Sequence, residues 1–165
     1  MINISSDSEV SVRKCDDGQF MMTINAEGEA VEISFSPASL QGFLLKSVVY
    51  VAGNIGKTSE QLRLLRAPGY FVKKIGDIAL QYFMRDRRFD EALMVRFLWI
   101  MDDDELVDLI MKNCTKAVSE RLRSDLEVLN IHNPKMALGF SFDKAAETIS
   151  KVNEALIKVL SEFDE

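Results

Sequence analysis

The sequence predicts an α+β protein: a helical domain of about six helices, bundle-like or armadillo-like, preceded by a three-stranded antiparallel β-meander. Three observations lead there. Residues Glu9 to Phe35 alternate apolar and polar side chains with a period of two, the spacing of strands with one apolar face. At Ser36-Pro37 the period changes to the three-and-four spacing of a helix face. From Arg88 to Asn130 three helical patterns follow one another with almost no connecting sequence, and helices linked so closely must pack, since none buries its stripe alone. This last stretch is the expected organiser. The chain divides into a meander over 1–36 and a helical domain over 37–165, which together form one compact unit.

Met1 to Ser8 reads as a loose, polar lead-in. Val10 and Val12, then Phe20, Met22 and Ile24, then Val31, Ile33 and Phe35 mark the apolar face of three strands. Asp16-Asp17-Gly18 and Glu27-Gly28 separate them, and Asp-Gly is a strong short-range hairpin signal. So small a sheet is marginal alone, so its apolar face is expected to be covered by the helices.

Ser36 is a candidate N-cap with Pro37 at the first helical position, and Leu40, Phe43, Leu44, Val48, Val51 and Ile55 follow at helical spacing up to a terminator at Gly56. Thr58 and Gln61 resemble a capping box for a short helix through Leu65, which Ala67-Pro68-Gly69 breaks. Tyr70 to Met84 reads as one helix, with Phe71, Ile75, Ile78, Ala79, Tyr82 and Phe83 inward. Phe89 to Leu93 opens the next, whose face carries Leu93, Phe97, Ile100 and Met101. Asp102-Asp103-Asp104-Glu105 is a carboxylate-rich start for a short helix over Leu106 to Met111. Thr115 caps a third, with Val118, Leu122, Leu126 and Leu129 as its stripe. After a loop over Asn130 to Gly139, Ser141 and Asp143 are candidate caps of a last helix striped by Ala145, Ile149, Val152, Leu156, Val159 and Leu160.

A net charge of −6 argues against binding nucleic-acid backbones, which takes clustered Lys and Arg. Cys15 and Cys114 lie in segments of different type and form no metal-spacing motif, which favours free thiols in a reducing cytosol. The start lacks the basic and apolar regions of a signal peptide. The most hydrophobic run, Leu40 to Ile55, is too short to span a bilayer. A cytoplasmic protein without membrane insertion is expected.

Few residues suggest chemistry. Gly56-Lys57-Thr58 ends like a phosphate-binding loop, but the glycine such a loop needs five positions earlier is Val51, and the preceding segment reads as helix where the motif takes a strand. His132, the only histidine, has no second His or Cys at ligand spacing. The run from Asp102 to Glu105 lacks the glycine and distal glutamate of a calcium loop and fits a helix start. No catalytic, cofactor-binding or metal-ligating set is expected. Eight methionines suit an adaptable core or a soft groove; Met94 lies off the main stripe of its helix, near Arg96.

Two segments resemble known families. Ile78 to Trp99, with Ala79-Leu80-Gln81-Tyr82 and Arg88-Phe89-Asp90-Glu91-Ala92-Leu93, looks like one tetratricopeptide-type hairpin. Cys114 to Leu129 resembles a helix near the end of the flagellar motor switch protein FliG, and Asp143 to Leu156 is similar to that family's final helix. The likeness covers about the last third of the chain and leaves out the sheet. It implies an armadillo-like interaction module.

The expected function is therefore a non-enzymatic protein-interaction module or adaptor, with a flagellum-associated role as one setting. Its partner surface is expected at Arg85, Arg87, Arg88 and Met94, near the acidic start at Asp102, where mixed charges would set specificity and Met94 would supply apolar contact. The alternatives are a nucleotide-binding enzyme built around Lys57, Thr58 and Asp102, and a domain that oligomerises through an exposed β edge.

Overall fold

The computed structural model describes residues 9–26, 28–54, 58–87, 89–132 and 141–163. Strands β1 (Glu9–Lys14), β2 (Phe20–Ala26) and β3 (Glu29–Phe35) form an antiparallel sheet in the order β1-β2-β3. Two glycines make the hairpins possible: Gly18 at φ 83° and Gly28 at φ 81° occupy left-handed backbone that L side chains avoid. In the first turn Gly18 N–H donates to Cys15 O at 3.1 Å and Cys15 N–H donates to Gln19 O at 2.7 Å. The register aligns Val10, Ile24 and Val31 in one row and Val12, Met22 and Ile33 in the next, so the expected apolar face exists.

The helices leave much of that face uncovered, contrary to the expectation that they would pack across it. Val10 and Val12 are about half exposed, at 51% and 50%, and Ile33 is 38% exposed. Only Met22 and Ala26 of the sheet are buried. Beyond the chain connection, the sheet meets the helices at its end, where the Phe35 and Phe43 rings lie 5.8 Å apart.

Eight helices follow among the described residues: α1 (Pro37–Gly53), α2 (Thr58–Leu65), α3 (Ala67–Val72), α4 (Asp77–Arg85), α5 (Glu91–Met101), α6 (Asp104–Lys112), α7 (Lys116–His132) and α8 (Phe142–Glu162). The Ser36 hydroxyl caps α1 by accepting from Ser39 N–H at 3.1 Å, with Pro37 in the first turn as its fixed φ favours. The phase of α1 differs from the expected stripe. Leu40, Gly42, Leu45 and Ala52 are buried, while Phe43, Leu44 and Val51 are exposed. A helix apolar on most sides carries no periodicity strong enough to fix which side turns inward. Ile55, Gly56 and Lys57 lie outside the described residues.

The segment expected as one helix over Tyr70 to Met84 is two. Pro68 starts α3 instead of ending a helix, because a proline in the first turn gives up no intrahelical hydrogen bond. The break falls at Lys73–Gly76, and Gly76 is the N-cap of α4. In consequence Ile78 and Tyr82 point outward, and α4 buries Ala79, Leu80 and Phe83.

Helix α8 is the hub, packing on α1, α2, α3, α4 and α5. Of the expected stripe Ala145, Ile149, Val152, Leu156 and Val159 are buried and Leu160 is half-buried. The organising role expected for Arg88 to Asn130 is thus shared with a helix outside that stretch. Helix α5 runs through the core beside it, with Leu93, Met94, Val95, Phe97, Leu98, Ile100 and Met101 all buried. The rings of Phe83, Phe89 and Phe97 form a cluster bridging α4 to α5, with centroids 4.5–6.5 Å apart. Helix α7 packs on α5 and α6 through Leu122, fully buried, with Val118, Leu126 and Leu129 half-buried. Among the described residues no helix is long and apolar enough to cross a membrane.

Candidate interaction surfaces

Of the residues expected to form one partner surface, Met94 and Asp102 stand apart from Arg85 and Arg87. Arg85 ends α4 and Arg87 lies in the link to α5, both exposed; Arg88 is outside the described residues. Asp90 caps the start of α5 through Leu93 N–H at 2.7 Å, whereas Asp102 caps its other end. The two caps are twelve positions apart, about 18 Å at ~1.5 Å per residue, so Asp102 belongs to a different region from the arginines.

Met94 is only 5% exposed and cannot supply surface contact. The reason is local: Phe89 and Met94 occupy the two positions of a hydrophobic staple around the Asp90 cap, and both are buried. Arg85 instead lines a half-open groove of ≈ 200 Å³ with Tyr82, Asp86, Lys158, Val159 and Glu162. Lys158 Nζ lies 3.8 Å from Asp86 Oδ2, and the Tyr82 and Phe163 rings meet edge-on at 5.1 Å. This corner is a helix end of balanced charge.

The acidic run Asp102–Glu105 is a structural joint. Asp102 adopts left-handed backbone at φ 52°, ψ 48°, which turns the chain sharply between α5 and α6, and Arg66 reaches it at 3.2 Å. Arg66 Nε also donates to Ile100 O at 3.0 Å, closing one of the free carbonyls at the end of α5. Asp103 caps α6 by accepting from Leu106 N–H at 3.0 Å and accepts from Lys73 Nζ at 2.6 Å. Lys73 also contacts Glu105 at 3.2 Å. Hydrogen bonding to Asp103, then to Glu105, raises the Lys73 pKa; the Lys73 ammonium, assisted by Leu106 N–H, holds the Asp103 carboxyl below the usual carboxylate range. These carboxylates serve caps and ion pairs, and among the described residues no three His, Cys, Asp or Glu side chains group as a metal site.

Gly53 ends α1 and Asn54 is its C-cap, so helix precedes Gly56-Lys57-Thr58 where a phosphate loop follows a strand. The Thr58 and His132 side chains lie outside the described set. Cys15 and Cys114 are free thiols, and burial, with Glu91 nearby, pushes the Cys114 thiol pKa up.

The sequence pointed to an exposed β edge as an alternative, but not to an open apolar face of the sheet. Every residue of β1 is exposed, and its outer edge pairs with no strand among those described. The apolar face runs on through Phe35 toward the exposed Phe43 of α1, and its ends are marked by Lys14 and Glu29. The alternation that located the strands held this signal; the assumption that helices would cover the face concealed it.

No protein-family model matches the chain, and neither the curated proteins nor the solved structures give a match.

Proposed function

We propose that the protein is a non-enzymatic interaction module whose sheet receives an amphipathic helix of a partner protein. The observation that carries this is the partly uncovered apolar face of β1–β3, on which Val10, Val12 and Ile33 are exposed in adjoining rows beside the buried Met22. Contiguous exposed apolar surface of this kind marks interaction sites. A helix is the occupant that completes a small antiparallel sheet, since one apolar stripe against one apolar face forms a two-layer core. Lys14 at one end of the face and Glu29 at the other give such a helix a preferred direction through opposite charges. The likeness of α7 and α8 to the last helices of FliG supports a scaffold reading and suggests a flagellum-associated setting.

A photo-crosslinking residue at Ile33 should capture an amphipathic helical segment of one partner in the native cell, while the same residue at Glu32, on the opposite face, should not. Equal labelling at both positions, or none at Ile33, would overturn the proposal. Changing Arg85 and Arg87 to Glu should leave capture unaltered; loss there would return the partner surface to the end of α4.

A further inference from the structure

We infer that the free edge of β1 pairs with β1 of a second copy of this chain, in the one register centred on Ser11. This is independent of the helix-docking reading, because it uses the strand's edge and not its face.

The backbone sets the parity. Cys15 N–H donates to Gln19 O across the hairpin, and Cys15 continues the β1·β2 register that pairs Lys14 with Phe20. Antiparallel strands direct the N–H and C=O of alternate residues to opposite sides. Arg13, Ser11 and Glu9 therefore face β2, and Val10, Val12 and Lys14 present their groups to the open edge. A second β1 joins only if its own outward-facing residues lie opposite these.

Among the registers that meet this condition, side chains choose. Centring on Ser11 sets Val10 against Val12 of the second copy, twice by symmetry, and Glu9 against its Arg13, also twice. Centring on Val12 instead puts Val10 against Lys14, an apolar side chain facing a charge. Opposite charges and β-branched pairs across strands are both favourable, so the Ser11 register satisfies each row. Arg13 lies 3.9 Å from Glu32 in its own chain and retains donors for Glu9 of the second copy. On the other edge, overlaying all of β3 on a second β3 puts Glu32 against Glu32.

Nothing in β1 blocks this pairing. The strand holds no proline, its register with β2 is unbroken from Glu9 to Lys14, and all six of its residues are exposed. A two-fold axis through the sheet at Ser11 keeps both apolar faces on one side. The result is a six-stranded sheet with a doubled docking face.

Sedimentation of the full chain at up to about millimolar concentration, the regime of small interfaces, should show a monomer–dimer equilibrium. Glu9→Arg and Arg13→Glu each set like charges opposite one another and should weaken it on the order of tenfold. Mixing the two variants should restore association as a heterodimer. The introduced arginine of one chain then faces the introduced glutamate of the other, and the native Arg13 of the first faces the native Glu9 of the second. Ser11→Cys should form an intermolecular disulfide under mild oxidation, because centred antiparallel pairs of this type approach to about 4.5 Å between Cα atoms. A chain monomeric throughout, a dimer indifferent to the charge changes, or failure of the mixture to recover it would overturn the inference.

Discussion

Lys73 Nζ lies 2.6 Å from Asp103 Oδ2, so the residue that ends α3 holds the residue that begins α6, thirty positions later in the chain. The other oxygen of Asp103 accepts from Leu106 N–H, and one carboxylate thereby serves as helix cap and tertiary tie. Close by, Gly69 of α3 admits α5 and α6: a Cβ there would lie 2.7 Å from Met101 Sδ and 3.3 Å from Leu106 Cδ2.

The tie should make stability depend on pH at both ends of the range. The Asp103 pKa is lower in the folded protein, so its contribution is present above the usual carboxylate pKa and fades as pH falls through the lowered value. The Lys73 pKa is raised, so its contribution holds below the usual lysine value and fades as pH rises through the raised one. Asp103→Asn keeps a capping oxygen and should flatten the acid limb of a stability–pH curve; Asp103→Ala should lose the cap as well, at about 0.5–2 kcal/mol.

Leu122 and Leu126 share the stripe of α7, but only Leu122 is fully buried. Leu122→Ala should cost about 2–5 kcal/mol in denaturant melts, and Leu126→Ala clearly less. Equal losses would mean that α7 is rotated on α5.

Asn153 is a buried amide whose Nδ2 donates to Leu45 O at 2.7 Å and whose Oδ1 has no partner among the described residues. Leu45 O lies within α1, where the helix already supplies a donor. Replacing Asn153 with Leu should leave stability unchanged or raise it by about 1 kcal/mol, because an unsatisfied buried polar atom gives way to an apolar side chain of the same branched shape. A loss above about 2 kcal/mol would show that the amide holds α1 against α8 in a way the apolar side chain does not.

Cys114 is half-buried with its thiol pKa raised, so little thiolate forms near neutral pH. In a Cys15→Ser protein it should react with a thiol reagent more slowly than free cysteine does. Denaturant should abolish the difference.

How legible the fold was depended on how one-sided each element is. The stripe of α8 and the start signals at Ser36, in the run Asp102 to Glu105 and at Ser141 were plain, because polar faces and local caps leave direct marks, although only the structure shows that Asp103 is the cap within that run. The phase of α1 was not, since Phe43, Leu44, Tyr50 and Val51 offer as good an inward face as the one used. Met94 misled for the same reason: α5 is enclosed on nearly every side, so leaving the main stripe does not mean reaching solvent. The Lys73–Asp103 and Arg66–Asp102 pairs join residues 30 and 36 positions apart, and no local pattern announces them.

The slender join between the sheet and the helices has a kinetic consequence. With Phe35 against Phe43 where the sheet meets α1, the meander has few contacts with the helical core and should open locally before the bundle does. Backbone amides of β1–β3 should exchange with solvent by local opening far sooner than those of α5 and α8. Occupancy of the sheet, by a helix or by a second strand, would then register as slowed exchange confined to residues 9–35.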